Sequence, residues 1–469
     1  MILRHIFAIT LLIPAFTLAL APPASAQEVL TLTEALERAD LQAYGNRAAA
    51  AAAAAQSAEA IRPLQGILPT LRAEGGYVST TDPIGAFGTT LRQRNITPAD
   101  FDPQKLNYPE IARNYGAALV VEQPLFNADA HLGRRAATRA AAASKASADW
   151  ARSTTRLDVV HAYYGVVLAA ERVRTLEVAV RAAQGHVRQA ESMVRNGLVT
   201  RSDALLAEVR AGEIDAELIA ARGDAELAVK QLAVLLGEPA GTHFELPDRL
   251  PTLTGGPLIS KASLVDSPVV HPESQGHATE VGARGDVRAA RLGLEAARAD
   301  AKRARSLYLP RLNAFARYDW NSASRLFGGD KNWSAGIMAS WSPFAGASEI
   351  AEWRASAARA RAARAQAEGA EAMARLEIEQ ADRALQVALA RLEIAERATA
   401  QSEEAYRIVT RKYEGGLATM TELLDAAAID TQTRLGHLHA QYAVITATAT
   451  LLHNRGRDFA ELVDLIATP

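Results

Sequence analysis

Residues 381–425 read ADRALQVALARLEIAERATAQSEEAYRIVTRKYEGGLATMTELLD, and this stretch decides the fold. Apolar and small residues recur there at spacings that alternate between four and three: Ala381, Leu385, Ala388, Leu392, Ala395, Thr399, Ser402, Tyr406, Val409 and Tyr413. After Gly415-Gly416 the same spacing continues through Leu424, Ala428, Thr431, Leu435, Leu438, Tyr442, Ile445, Ala449 and Leu452. Such a stripe is the seam of a left-handed coiled coil. The stretch therefore predicts two long antiparallel helices joined by a tight turn.

The hairpin pattern occurs twice in the chain. An earlier stripe runs through Val173, Leu176, Val180, Ala183, Val187, Ala190 and Val194, and it ends at Asn196-Gly197-Leu198 as the later one ends at Gly415-Gly416-Leu417. Ile67-Leu68-Pro69-Thr70-Leu71 likewise matches Tyr308-Leu309-Pro310-Arg311-Leu312. This internal repeat predicts that each half reads helix, strand, loop, strand, very long helix, turn, long helix.

Helix positions follow from composition and pattern. An alanine run predicts the first helix over residues 48–61, ended by Pro63, and its counterpart lies over residues 286–306. The helix from Ala128 to Arg195 would be about 100 Å long at 1.5 Å per residue. That length suits a structure that crosses a wide space.

Four short segments, residues 71–77, 115–122, 311–320 and 332–341, alternate between apolar and polar side chains, which predicts half-buried strands. Aromatic residues on them form a candidate membrane girdle: Tyr77, Tyr318, Trp320, Trp333 and Trp341. Trp333 and Trp341 would lie about 26 Å apart along a strand. Outer-membrane barrels have an apolar band about 25 Å tall with aromatic girdles at both rims. An ordinary soluble sheet is the alternative interpretation of the same alternation.

The number of strands predicts an oligomer if the strands span a membrane. The smallest transmembrane barrels have about eight strands, and an open sheet edge is not tolerated in lipid. Other copies of the chain would then have to complete the barrel. Arginines on the polar faces of the strands would line its pore.

The N-terminal residues and the composition define the compartment. Arg4 and His5, an apolar run and Ala24-Ser25-Ala26 predict a cleaved secretory signal peptide over residues 1–26. No later stretch approaches 18 unbroken apolar residues, so membrane-spanning helices are not expected. The chain has no cysteine and a net charge of −2, which excludes disulfides and thiolate chemistry and gives no electrostatic reason to expect nucleic acid.

The ordered set of segments resembles the TolC family of outer-membrane efflux proteins over essentially the whole mature chain. The matching residues are Leu32-Thr33-Glu34-Ala35-Leu36, the Leu-Pro-x-Leu strand entries, Pro124-Leu125-Phe126 and Asp286-Val287-Arg288-Ala289-Ala290. The resemblance implies a mainly α-helical homotrimer, in which each subunit adds four strands to one twelve-stranded β-barrel and two helical hairpins to an α-barrel through the periplasm. It places the protein in the outer membrane of a Gram-negative bacterium, in contact with lipid, a periplasmic adaptor (membrane fusion) protein and an inner-membrane pump.

On this basis the chain divides into a signal peptide, a first repeat (residues 27–237), a connector (238–285) and a second repeat (286–469). The resemblance assigns the hairpin tips, and with them the adaptor contact, to Gly197, Leu198, Thr200, Gly416, Leu417 and Thr419. It assigns the periplasmic gate to Glu422, Asp425, Asp203 and Tyr413, with a hydrogen bond between Tyr413 and Asp203. The first tip departs from this pattern because Leu206 stands where the second tip has Asp425, and Ala418 replaces the family's basic residue.

Two readings of these features differ in function. Glu422 and Asp425 could instead be acids that favour the start of a helix, as first-turn carboxylates do. The whole chain is interpreted as an export duct for small molecules or polypeptides, with a soluble periplasmic coiled-coil scaffold without a pore as the alternative. No phosphate loop, nucleophile elbow or HExxH motif occurs. The chain is therefore not expected to be an enzyme or to hold a metal or cofactor.

Overall fold

The fold is taken from a computed structural model that describes residues 29–251, 281–344 and 346–465. The predicted signal peptide and most of the predicted connector lie outside these ranges. Within them, two halves of similar design share one sheet and one helical body.

The first half opens with two helices where one was predicted. These are α1 (Leu32–Gln42) and α2 (Tyr44–Glu59), and the expectation of a single helix over residues 48–61 is therefore corrected. Thr31 caps α1 by accepting a hydrogen bond from the backbone N–H of Glu34. Ala43 leaves the helical conformation at ψ 129° and separates the two helices. A short 3₁₀ turn, Arg62–Gly66, follows with Pro63 in its first turn.

The two halves share a four-stranded antiparallel sheet in the order β1-β2-β3-β4. Its strands are β1 (Thr70–Thr80), β2 (Ala112–Phe126), β3 (Arg311–Ser322) and β4 (Asp330–Ser340). The connection between β1 and β2 contains the short helices α3 (Pro83–Arg92) and α4 (Pro103–Asn107). β2 pairs with β3, so the join between the halves runs through the middle of the sheet and leaves β1 and β4 at its edges.

The two faces of the sheet differ in polarity, as the alternation predicted. One face exposes large apolar side chains, and Trp333 and Ile337 are 77% and 66% exposed. The other face carries ion pairs between strands: Arg72 of β1 with Glu122 of the neighbouring β2 at 3.4 Å, and Arg317 of β3 with Glu74 of β1, across β2, at 2.9 Å. An apolar outer face and a charged inner face are typical of a strand set in an outer-membrane barrel.

Long helices descend from the sheet in both halves. The first half has α5 (Ala128–Arg195) and α6 (Arg201–Leu235). The second half has α7 (Gly285–Ser306), α8 (Ser348–Glu414), α9 (Met420–Asn454) and the terminal α10 (Ala460–Leu465). With 68 residues, α5 is about 100 Å long, and this confirms the predicted pair of long hairpins. Among the described residues, no helix combines the length and the apolarity needed to cross a membrane.

The predicted seam of the second hairpin is largely buried, with one correction. Leu385, Ala388 and Tyr413 are buried as expected, whereas Ala428 is exposed. Leu423, outside the predicted stripe, is fully buried instead. The reason is that α9 packs against α5 of the first hairpin as well as against α8. A helix with two partners buries a stripe of residues against each of them. The buried positions then follow the 3.6-residue period of the helix and drift away from a strict heptad.

The largest core lies where the two hairpins meet the terminal segments. Val159 and Tyr163 of α5, Leu232 of α6 and Leu452 of α9 pack there with Leu36 of α1. The buried hydroxyl of Tyr163 donates a hydrogen bond of 2.7 Å to the carbonyl oxygen of Leu30. This hydrogen bond holds the start of the described chain against α5.

A buried charge lies at the end of the predicted connector. The Arg284 side chain is 3% exposed and pairs with Asp286 at 2.8 Å and with Glu377 of α8 at 2.6 Å. Its guanidinium also lies 4.7 Å from the ring centroid of Trp150 in α5, and Trp150 stacks on His453 of α9. We call these five residues the Arg284 cluster. Because they come from α5, α8, α9, the first turn of α7 and the residue just before it, the cluster fixes these elements to one another.

Candidate functional site

The two hairpin tips have the same backbone design. In the first tip, Gly197 adopts a left-handed φ of 73°, and the N–H of Leu198 donates to the carbonyl of Met193 at 2.9 Å. In the second, Gly416 has φ 71° and the N–H of Leu417 donates to the carbonyl of Lys412. These bonds satisfy carbonyls at the end of each long helix, and glycine allows the left-handed turn without a steric penalty.

Each returning helix begins with a reciprocal cap. The side chain of Thr200 accepts from the N–H of Asp203, while the hydroxyl and N–H of Thr200 donate to the Asp203 carboxylate at 2.7 and 3.0 Å. Thr419 and Glu422 form the same box, with the Thr419 N–H at 2.7 Å from the carboxylate. Donors from the threonine lower the pKa of both acids, chiefly the hydroxyl for Asp203 and the N–H for Glu422. Two of the predicted gate acids therefore start helices in the single chain.

Asp425 differs from these two acids. It is exposed in the second turn of α9, outside the capping box, and its counterpart Leu206 is 37% exposed. The pKa of the Arg210 guanidinium, in the first hairpin, is raised. The hydrogen bond to Glu213 is the largest cause, and the nearby Asp425 carboxylate adds to it. The sequence pattern missed Arg210, because it approaches Asp425 across the interface between the hairpins and no local spacing indicates it.

The predicted hydrogen bond between Tyr413 and Asp203 is not formed. Tyr413 is 3% exposed, and its hydroxyl has no hydrogen-bond partner in the part of the chain that the structure describes. Burial raises the pKa of this phenol, and the nearby charge of Asp203 adds to the effect. The capping box instead holds the Asp203 carboxylate against Thr200, whose hydroxyl and N–H both donate to its Oδ2 atom. Tyr413 packs in an apolar cluster that contains Ala190, Ala204 and Met420 and joins the two tips.

A polar contact between the hairpins lies above the tips. The Nε2 atom of His186 in α5 is 2.8 Å from the hydroxyl of Tyr406 in α8, and the two rings are nearly perpendicular. His186 is 8% exposed, and burial lowers its pKa. The heptad pattern marked Tyr406 as a seam residue but gave no sign of its partner, which comes from the other repeat.

The aromatic side chains of the sheet cluster unevenly. Tyr77, Tyr318, Trp320 and Trp333 lie in the half of the sheet away from the long helices, where Tyr318 and Trp333 are register partners. Tyr115 joins them, with its ring 4.8 Å from that of Tyr77. Trp341 lies at the helical end, where its indole N–H donates to the carbonyl of Tyr308 at 3.1 Å. Across the described ranges, no three side chains of the metal-binding types come together.

Comparisons with known proteins agree with this architecture. The family model described as outer membrane efflux protein matches residues 34–238 and 282–456. No protein with a curated description matches the sequence.

Solved outer-membrane proteins have the same fold. The outer membrane protein VceC of Vibrio cholerae aligns with a TM-score of 0.75 at 21% identity, over 91% of this chain and 96% of VceC. The open state of the MtrE channel of Neisseria gonorrhoeae gives 0.72 at 20% identity, over 91% and 89%. The CmeC channel of Campylobacter jejuni gives 0.74 at 15%, over 92% and 88%. Since the family model covers most of the chain, this protein belongs to the outer membrane efflux protein family, and it is a non-enzymatic outer-membrane channel with a large periplasmic helical part.

Proposed function

We propose that three copies of the chain assemble into one duct that exports material across the periplasm and the outer membrane. The observation that carries this proposal is the pair of open edges of the sheet. β1 and β4 each have a free side, and an apolar face lies between them. An unpaired strand edge in lipid leaves backbone groups without hydrogen bonds. Pairing of β1 with β4 of another copy satisfies them, and three copies give the twelve strands that the family resemblance implies.

The charged face of the sheet supports an aqueous pore. Closing the sheet with its apolar face outward puts the Arg72–Glu122 and Arg317–Glu74 pairs inside the barrel. Arg317 also pairs with Asp319 at 2.8 Å. A ring of paired charges gives a hydrated lumen that conducts solutes, and its signs are nearly balanced.

The exposed hairpin tips support docking to a periplasmic adaptor. Leu198 and Leu417 are 70% and 81% exposed at matching positions of the two turns. Exposed apolar side chains at the end of a rigid hairpin are suited to insertion into an apolar partner groove. In this proposal the duct is passive, and an inner-membrane pump reached through the adaptor supplies the energy.

The same proposal assigns the periplasmic gate to the tips, with Asp425 and Glu422 as its acidic residues and Asp203 and Tyr413 as supporting positions. Both acids are exposed near the start of α9, Glu422 in its first turn and Asp425 in its second. Three copies would bring six carboxylates around one constriction. Like charges at such spacing repel, and a multivalent cation relieves the repulsion.

The predicted division of the chain fits this assembly. Residues 27–237 and 286–469 would each contribute two strands and one hairpin, and residues 238–285 would connect them as an equatorial segment. The described start of the connector supports the division, because the N–H of Leu30 donates to the carbonyl of Glu245 and Leu250 is buried in the main core.

The number of copies and the edge pairing can be tested together, since the chain has no native cysteine. Within one chain β1 and β4 are three strand spacings apart, about 14 Å, which a disulfide cannot bridge. Ala73→Cys would be combined in turn with a cysteine at Ala335, Ile337 or Ala339, which share its face of the sheet. We expect one pair to give covalent trimers after oxidation, and Ala73→Cys alone to give none.

Light scattering in detergent should give three times the mature mass. A folded monomer without cross-links in any pair would contradict the edge-pairing proposal. Cell fractionation tests the alternative function, because a coiled-coil scaffold without a pore is released by osmotic shock whereas the duct stays with the outer membrane.

A further inference from the structure

A basic groove lies between α5 and α7, close to the sheet. It has a volume of about 340 Å³ and is lined by Arg135, Arg139, Glu295, Arg298 and Lys302, with Leu132 and Ala299 at its base. Arg139 pairs with Glu295 at 3.1 Å. Arg135, Arg298 and Lys302 are exposed and have no ion-pair partner among the described residues. The groove therefore presents three uncompensated positive charges above an apolar base.

Neighbouring carboxylates do not neutralise these charges. The nearest acids of the two helices pair with other arginines: Asp129 with Arg311, Asp149 with Arg288, and Asp300 with Arg303. Both walls of the groove come from one chain, and α2 and α8 flank them on the outer sides. The site is thus complete without a second copy.

The sheet end of the groove, at Lys302, lies at the depth of lipid headgroups, and Arg135 lies just beyond it. Lys302 is four residues before the end of α7, and Arg135 is seven residues after the start of α5. At 1.5 Å per residue these positions are about 6 and 10 Å from the sheet end of their helices. The headgroup layer of a bilayer adds about 5–8 Å beyond each side of the hydrocarbon core. The upper part of the groove therefore meets that layer on the periplasmic side.

The groove also opens toward the lipid side of the sheet. A second cavity, on the polar side of the sheet, is lined by Leu307, Arg311 and Ser340. At 100° per residue, Lys302 and Arg298 point about 140° and 180° away from Leu307 around α7. The groove thus lies on the side of the helices that continues the apolar face of the sheet.

We propose that this groove binds the phosphate of a phospholipid in the periplasmic leaflet of the outer membrane. Arginine guanidinium groups match phosphate oxygens in pairs, and a lysine adds a mobile charge. Leu132, which is closer to the sheet than Arg135, offers contact for the first acyl carbons on the membrane side of the headgroup. An anionic headgroup such as phosphatidylglycerol binds more strongly than zwitterionic phosphatidylcholine. This site goes beyond the proposed duct and requires neither its gate nor its adaptor.

Native mass spectrometry of the full chain in detergent tests the site. The probes are phosphatidylglycerol and phosphatidylcholine with identical acyl chains. Replacing Arg135, Arg298 and Lys302 together by Gln should weaken phosphatidylglycerol binding about tenfold or more, since each basic residue near a membrane contributes to anionic-lipid affinity. Arg135→Lys with Arg298→Lys keeps the charge and should retain most of the binding.

The matched control replaces Arg375, Arg391 and Arg397 of α8 by Gln. These residues are also exposed, but they lie about 40–74 Å from the membrane end of α8. The control should bind phosphatidylglycerol as the wild type does. Equal losses in both triple variants, or no loss in the groove variant, would overturn the proposal.

Two further measurements decide between lipid and free anion. Inorganic phosphate that displaces phosphatidylglycerol at equal concentration would show a general anion site and overturn the lipid assignment. If the triple variant does not assemble, Lys302→Gln alone, at an exposed position, should still weaken binding several-fold. The same spectra report the number of chains, so failure of lipid binding is distinguishable from failure of trimer assembly.

Discussion

Protonation of His453 should destabilise the folded protein in mild acid. His453 is 5% exposed, stacks on Trp150 with ring centroids 4.2 Å apart, and has its Nδ1 atom 2.9 Å from the hydroxyl of Ser153. Burial lowers the pKa of this imidazole to about 4, and the positive charge of Arg284 acts in the same direction. Asp286 opposes the shift, and His161 adds to it.

The direction and size of the effect follow from proton linkage. The unfolded chain binds a proton at His453 below pH 6.5, whereas the folded chain resists it until about pH 4. Stability that is present above pH 6.5 is therefore lost as the pH falls toward 4. Each pKa unit corresponds to about 1.4 kcal/mol, so the complete loss is about 3 kcal/mol, and about 2 kcal/mol is lost by pH 5.

The assay is denaturant unfolding of the purified protein in detergent at pH 7.5 and pH 5. His453→Gln removes the titrating group, and we expect it to lose about 2 kcal/mol less stability between these pH values than the wild type does. His439→Gln, at an exposed position of the same helix, is the matched control and should behave as the wild type. An equal pH dependence of the wild type and His453→Gln would refute the reasoning.

Three other predictions concern the turns, the buried charge and the tips. Gly416→Ala should lower the free energy of unfolding by about 1 kcal/mol, because the alanine has space for its Cβ but must adopt an unfavourable left-handed φ. Gly237→Ala should cost considerably more in the same unfolding assay, since its Cβ would lie 2.3 Å from the carbonyl oxygen of Gln42. Arg284→Met should destabilise the protein by about 2–3 kcal/mol by leaving partly buried carboxylates unpaired, whereas thermal unfolding of Arg364→Met, at an exposed i,i+4 pair, should be unchanged within error. In planar bilayers, Asp425→Asn should weaken block by divalent cations from the periplasmic side. Tyr413→Phe should leave conductance unchanged, because none of the described residues forms a hydrogen bond with its hydroxyl. A block that survives Asp425→Asn combined with Glu422→Gln would place the gate elsewhere.

Much of the fold could be predicted because its determinants are local and periodic. The structure begins and ends α5 at the predicted residues, Ala128 and Arg195, and the heptad stripe from Val173 to Val194 runs up to the turn at Asn196-Gly197. The two faces of the sheet follow from a period of two, and the ion pairs on its polar face lie where the alternation placed charged residues. Both patterns recur in the second half of the chain, so the prediction for each half could be compared with the prediction for the other.

The misses have physical causes that a sequence pattern does not carry. The break between α1 and α2 falls at Ala43, where neither glycine nor proline marks it. Apart from Asp286, the members of the Arg284 cluster lie 93 or more positions from Arg284 in the sequence, and no spacing rule connects them. The expected Tyr413–Asp203 bond is not formed, and the Asp203 side chain is held instead by a local capping box with Thr200, three residues away.

The two tips also show which of their acids are free to act on ions. Asp203 and Glu422 occupy the same place in duplicated capping boxes, so each repeat needs this carboxylate to begin a helix. The N–H and the hydroxyl of Thr419 both donate to the Glu422 carboxylate and partly satisfy its charge. Loss of these two hydrogen bonds would disturb the turn itself. Asp425 has no such structural duty, and its counterpart Leu206 shows that the turn forms without an acid there. If the tips form a gate, its cation affinity should therefore depend more on Asp425 than on Glu422, with Arg210 reducing the effective charge of Asp425.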